Sequence, residues 1–225
     1  MCGIIGILGK EDVTERLVDG LARLEYRGYD SAGVAVQSSG DVTVRRAVGK
    51  LDALRSQLQA KPIAGHVGIG HTRWATHGAP TEENAHPHRT GPVTVVHNGI
   101  IENYAELRAE LEADGHIFSS QTDTEVVSQL CARFCEAGDT AEVAVQKALA
   151  RLKGAYALAF LFADAPDTLV VARFGSPLAI GYGAAEPDGT FEMFVGSDAI
   201  ALAPFTSRIS YLEDGDMAVL NRSRV

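Results

Sequence analysis

The sequence predicts an α+β layered fold, with sheets packed on one another and helices outside. Three observations carry this. Strand-like segments cluster near both ends of the chain, with most helical segments between them. The last third is a series of short apolar runs broken by turns such as Ala165-Pro166-Asp167, a layout that favours antiparallel pairing. Hydrophobic residues make up 46% of the 225, ample for a buried core.

In chain order, Gly3–Leu8 reads as a short buried strand. Asp12 with Glu15 three residues on resembles a capping box, and Val13, Leu17, Leu21 and Leu24 then recur at helical spacing. Ala32–Gln37 and Val42–Ala47 are strands joined by the turn Ser38-Ser39-Gly40-Asp41, an early hairpin. Leu51–Leu58 is a short helix broken by Lys61-Pro62. Val67–Thr72 is strand-like and enters a polar loop from Arg73 to Pro92, after which Val93–His97 is another strand. Three helices follow: Glu102–Ala113, Thr124–Glu136 and Thr140–Leu152. The remaining strands are Tyr156–Ala163, Leu169–Arg173, Leu178–Tyr182, Phe191–Val195, Arg208–Leu212 and Met217–Leu220. No repeat or interdomain linker stands out, and Asn221–Val225 reads as a cut just after a strand.

The net charge is −9, and the longest basic run is Arg45-Arg46, which argues against nucleic acid as a partner. No stretch approaches the ~20 apolar residues of a membrane span. No signal peptide or myristoylation pattern is visible. Three cysteines are too few, and odd in number, for a disulfide framework. Cys131 and Cys135 read as small buried residues on one helix face. A reducing cytoplasm suits a reactive thiol at Cys2.

Cys2 is the most informative residue. Trimming of Met1 would leave one residue bearing a thiol and a free α-amine, the latter with a reference pKa of about 7.7–8.0. A nucleophile and its base would then share a residue, the arrangement behind N-terminal-nucleophile hydrolases. With Met1 retained, the acylated nitrogen cannot act as base.

Four polar clusters interrupt the apolar strands. Glu25–Gly33 ends a helix and starts a strand, and an Arg27–Asp30 pair could stabilise it as a turn. His71-Thr72-Arg73-Trp74-Ala75-Thr76-His77-Gly78 holds the single Trp and an Arg suited to bidentate carboxylate recognition. Asn84-Ala85-His86-Pro87-His88, with His71, His77 and His97, raises a metal site. The spacings are not those of zinc ligands, so hydrogen-bonded structural histidines are the preferred reading. In His97-Asn98-Gly99-Ile100-Ile101-Glu102-Asn103 a strand ends just before a helix. There an Asn amide and a Gly N–H can form an oxyanion hole, or Asn98 or Gly99 can cap the helix. Asp123 opens the following helix, either as its N-cap or as an acid for a substrate ammonium. Together with Cys2, these groups suit an amino acid that bears a side-chain amide.

Cys2-Gly3-Ile4, Glu25–Gly33, His71–Gly78, Asn84–His88, His97–Asn103 and Thr122–Val126 closely resemble the N-terminal glutaminase domain of the glutamine–fructose-6-phosphate aminotransferase family, within the class II amidotransferases. Gly175–Leu178 and Gly196-Ser197-Asp198 fit as well. The resemblance implies a four-layer αββα sandwich of antiparallel sheets, of N-terminal-nucleophile hydrolase type. It implies one glutaminase domain over residues 2–221, without the sugar-isomerase domains that are its partners in the full-length enzyme. It also implies that Cys2 attacks the amide of L-glutamine, forming a thioester, with its own α-amine as base. Asn98 and Gly99 would stabilise the oxyanion. Arg73, Thr76 and His77 would hold the α-carboxylate, and Asp123 the α-ammonium. Trp74 would lie in the loop that closes over glutamine and gates ammonia, and Arg27 would support the Cys2 end. Neither a cofactor nor a metal is implied. Two alternatives stay open from the residues alone: an N-terminal-nucleophile hydrolase for another amide, such as a conjugated bile acid or a lactam, and a non-catalytic or metal-binding protein built on the histidines.

Overall fold

Residues 2–75 and 78–223 are described in a computed structural model of the chain. One sheet is built around β1 (Gly3–Leu8), all of whose residues are buried. Continuous burial follows from its place between two apolar layers. Ile4 and Leu8 point to one side and Ile5 and Ile7 to the other, the period-two alternation of a strand. β1 pairs antiparallel with β4 (Val67–Arg73), placing Gly3 opposite Thr72, and with β10 (Phe191–Gly196). β4 in turn pairs with β2 (Ser31–Ser38), which forms the predicted hairpin with β3 (Asp41–Val48). β9 (Ala179–Ala185) and β11 (Arg208–Tyr211) complete a seven-stranded sheet in the order β11-β9-β10-β1-β4-β2-β3.

The second sheet has the order β12-β8-β7-β6-β5. Its strands are β5 (His88–Thr90), β6 (Val93–Ile101), β7 (Gly154–Phe162), β8 (Leu169–Phe174) and β12 (Met217–Leu220). β7 divides its side chains as β1 does. Ala157, Ala159 and Leu161 face the first sheet, whereas Leu158, Phe160 and Phe162 face helices. All named strand pairs in both sheets are antiparallel.

Three separate apolar clusters separate four layers. α1 (Thr14–Ala22) and α2 (Leu51–Ala60) cover the outer face of the first sheet through Leu17, Leu21 and Leu54, and the short α6 (Ala199–Leu202) adds Leu202. α3 (Tyr104–Ala113), α4 (Glu125–Glu136) and α5 (Ala141–Leu149) cover the second sheet through Leu107, Val127, Leu130 and Val145. Each such fully buried aliphatic side chain contributes about 1.5–3 kcal/mol of transfer free energy. The expected αββα sandwich is therefore observed. Cys131 is buried on α4 and Cys135 packs at the edge of the same cluster, both as free thiols. Among the described residues, no helix is long and apolar enough to cross a membrane.

The structure corrects several local expectations. Asp12 does not cap α1. Its carboxylate accepts from the Thr14 amide and hydroxyl and from the Gly65 amide, tying the helix entry to the segment before β4. The polar stretch from Arg73 to Pro92 contains β5, whose alternating pattern is too short to show in the sequence. β6 does not end at His97 but runs through Asn98 and Gly99 to Ile101, and α3 starts at Tyr104. Neither Asn98 nor Gly99 is a helix cap.

Candidate active site

One end of the sandwich collects the polar clusters. The start of β1, the end of β4 and the start of β2 lie side by side in register, with Ser31 opposite Arg73. β6 crosses beneath them from the other sheet. Cys2 therefore stands at the mouth between the sheets, half-buried. Its Sγ accepts a hydrogen bond from the Trp74 amide at 3.2 Å. Burial pushes the thiol pKa above its ordinary value, and the Trp74 amide only partly offsets this. The resting sulfur is thus a thiol, which needs a base before it can attack.

The Asn98 Nδ2 donates to the Cys2 carbonyl at 3.1 Å, and the buried His71 Nε2 lies 3.0 Å from Asn98 Oδ1. Gly99 has φ +130°, and a Cβ there would overlap the Ala155 carbonyl oxygen on β7. Only glycine fits this combination of backbone and neighbour. A Gly99→Ala protein is expected to shift β6 against β7, lowering the unfolding midpoint and reducing turnover at least about 10-fold. Urea denaturation with a glutamate-release assay checks both effects, and an unchanged midpoint would contradict this account of the position.

Arg73 and Asp123 are both buried. They line one small cavity together with Cys2, Trp74, Gly99 and Thr122. Arg73 donates to the carbonyls of Gly78 and Ala79, at 3.3 and 3.4 Å. The Asp123 carboxylate accepts from the Ile101 amide at 2.8 Å. The N-cap position of α4 is Thr124, so Asp123 is not the cap that its residue type suggested. A second cavity of about 300 Å³ also opens on Cys2, bounded by Arg27, Trp74, Asn98 and Pro177.

The Glu25–Gly33 cluster is rewired relative to expectation. Arg27 does not pair with Asp30 but with Asp198, and Tyr26 joins them: Arg27 Nε donates to its hydroxyl at 3.0 Å, and that hydroxyl donates to Asp198 at 3.1 Å. Asp30 instead accepts from the Ala75 amide, while its own amide donates to the Arg73 carbonyl. It thereby fastens the backbone that carries Arg73 and Trp74. Gly28 lies under the same backbone, where a Cβ would stand 2.7 Å from the Arg73 carbonyl carbon. These roles of Asp30, Asp198 and Gly28 were not foreseen, because each depends on a partner at least 43 residues away in the chain.

The histidines form a buried core beneath the mouth. His71 stacks on His86 with centroids 4.2 Å apart, and His86 meets His88 edge-on at 4.7 Å. The Thr124 hydroxyl lies 2.9 Å from both His86 Nε2 and His97 Nδ1, and Thr122 bonds His88 at 3.0 Å. Burial is the main cause that takes His71 and His88 down to about 3 and His86 well below its ordinary value. At neutral pH these three rings are neutral. Among the described residues, no group of three or more His, Cys, Asp or Glu is placed to hold a metal. Of the predicted site residues, the structure gathers Cys2, Arg27, Arg73, Trp74, Asn98, Gly99 and Asp123 around the mouth. Thr76 and His77 lie outside the described residues.

This antiparallel αββα sandwich, with a thiol at the start of a central strand, is of the N-terminal-nucleophile type found in glutamine amidotransferases. The family model for the glutamine amidotransferase domain matches residues 71–203, and the chain belongs to that family. The glutamine–fructose-6-phosphate aminotransferase (isomerizing) of Brucella abortus biovar 1 (strain 9-941) is 60% identical over the whole chain, and that of Rhizobium meliloti (strain 1021) is 59% identical. The chain spans 36% of the length of each. Among solved structures, the glutamine phosphoribosylpyrophosphate amidotransferase from B. subtilis superposes with a TM-score of 0.82 at 28% identity, covering 99% of this chain and 48% of that one. A class-II glutamine aminotransferase domain protein from Silicibacter pomeroyi shares the fold, with a TM-score of 0.65 at 18% identity over 99% of this chain and 96% of that one.

Proposed function

We propose that residues 2–221 form one glutamine amidotransferase domain that hydrolyses the side-chain amide of L-glutamine to glutamate and ammonia. The observation that carries this reading is the convergence of Cys2, Arg73, Gly99 and Asp123 on one cavity. A cation and an anion flanking a thiol suit the α-carboxylate and α-ammonium of an amino acid whose side chain reaches the sulfur. That pairing favours glutamine over a lactam or bile-acid amide.

In the proposed mechanism, Met1 is removed and the Cys2 α-amine takes the thiol proton, through a water. The sulfur then forms a bond to the amide carbon. The oxygen that becomes negative is met by the second Asn98 Nδ2–H and the Gly99 N–H, donors of a kind worth about 3–4 kcal/mol of barrier. Return of the proton to the amide nitrogen breaks the C–N bond, ammonia leaves and a thioester remains. Water then adds to the thioester carbon and gives its proton to the amine. The C–S bond breaks, releasing glutamate and restoring the thiol. Arg27 supports this end of the site through its pair with Asp198. Thr76 and His77 join Arg73 at the carboxylate, and Trp74 covers the bound substrate. The space by Cys2 and Asp123 is about 20 Å³, room for about one water.

In the whole protein, the released ammonia would convert fructose 6-phosphate to glucosamine 6-phosphate on sugar-isomerase domains, and a cytoplasmic setting suits the unprotected thiol. The test within this chain is glutamine kinetics. Arg73→Ala and Asp123→Asn are each expected to raise KM for glutamine about 10- to 100-fold, the scale of a lost charge-assisted contact. Unchanged KM in both would remove the basis for an amino-acid substrate.

A further inference from the structure

We propose that His71 is a positioning residue for amide hydrolysis: its Nε2–H holds the Asn98 side-chain oxygen and so aims the Asn98 amide nitrogen at the developing oxyanion. This rests on the reading of Asn98 as an oxyanion donor.

His71 Nε2 lies 3.0 Å from two oxygens, the His97 carbonyl and Asn98 Oδ1. A carbonyl only accepts, so Nε2 carries the proton. Independently, the other end of the Asn98 amide lies 3.1 Å from the Cys2 carbonyl, which also only accepts. That end is therefore the NH₂ group. Two backbone carbonyls thus set the histidine tautomer and the amide orientation separately, and the two results agree. The ring has little freedom to change them. His71 sits on β4 between β1 and β2, opposite Ile4 and Gly33, with His86 stacked on its face. It is fully buried and neutral at working pH. Without that N–H, no other donor among the described residues would hold Asn98 Oδ1 against a turn of the amide. A turned amide would present its oxygen to the Cys2 carbonyl and to the oxyanion, which repels both.

The experiment compares His71→Asn, His71→Gln and His71→Phe in processed, full-length chain. By connectivity, a Gln amide nitrogen can occupy the place of the ring Nε2, whereas an Asn amide falls short of it. The expected result is a fall in kcat of about 10- to 100-fold for the Asn and Phe variants with KM for glutamine within about 3-fold of the parent, and recovery toward the parent for Gln. Alkylation of Cys2 by iodoacetamide, a displacement with no oxyanion, should proceed at the parent rate in all three. In an Asn98→Ala background, His71→Asn should add no further loss, because it acts through Asn98. Parent-like kcat in His71→Asn would overturn the proposal, as would equal losses in Asn and Gln or a parallel fall in alkylation. Absence of glutamate release by the parent protein would instead overturn the glutaminase reading.

Discussion

Cys2→Ala is expected to abolish glutamate release, a fall of about 10⁴-fold or more, because a covalent route has no substitute once its nucleophile is gone. The fold should be unaffected. Cys2 precedes β1 at the sheet mouth, and the apolar contacts that fix β1 begin at Ile4 and Ile5. An unfolding midpoint equal to that of the parent, with no turnover, is the predicted pair of results. Turnover persisting in the variant would remove Cys2 from the mechanism. A form that retains Met1 should behave as a partial knockout. Burial holds the thiol up, so little thiolate exists without a base, and acylation takes that base away. Losing general-base assistance costs about 10²- to 10⁴-fold. Intact mass tells the two forms apart. A glutamine-analogue electrophile should label one thiol in the trimmed form at a rate well above that of the Met1 form.

The second large effect concerns stability in acid. His71 and His88 titrate near 3 in the folded chain, against about 6.5 in an unfolded one. Burial is the first cause at both. Arg73 opposes the charged form at each ring, and Arg46 does so at His88. Between those pH values the unfolded chain binds protons that the folded chain refuses. The contribution of neutral burial is therefore fully present above about pH 6.5 and is lost as the pH falls toward 3. At pH 4.5 the loss is roughly 2–3 kcal/mol for each ring. Against a total stability of about 5–15 kcal/mol, that is enough to move the urea midpoint steeply between pH 7 and pH 4.5. His88→Gln should make the dependence shallower, since one of the refusing groups no longer titrates. A midpoint that stays constant over this range would show that the cluster accepts protons in the folded state.

Much of the fold was legible in the sequence, because its signals are local. Gly3–Leu8 and Tyr156–Ala163 are unbroken apolar runs. Such runs mark strands buried on both faces, and both became central strands between two apolar layers. The helix α1 was announced by apolar residues three and four apart. The resemblance of the polar clusters then supplied the αββα order that periodicity alone could not. What periodicity missed is equally physical. β5 has three residues, too short to display alternation. β6 continues through Asn98-Gly99, a pair that normally ends a strand, because β7 lies alongside and leaves no room for a Cβ at Gly99.

The sequence by itself determined the residue types at the candidate site and the layered fold that carries them, since residue chemistry and apolar period are both properties of neighbours in the chain. Only the tertiary structure decided which groups meet. Arg27 could choose between Asp30, three residues away, and Asp198, 171 residues away, and it took the distant one. Asp30 was left to hold the backbone around Arg73 and Ala75. Asp123, a helix cap by type, became an acceptor for β6 instead. His71, one of five histidines in the polar clusters, became the donor that orients Asn98. Hydrogen-bond partners are settled by which atoms the packed sheets bring within about 3 Å, and a linear chain does not carry that distance.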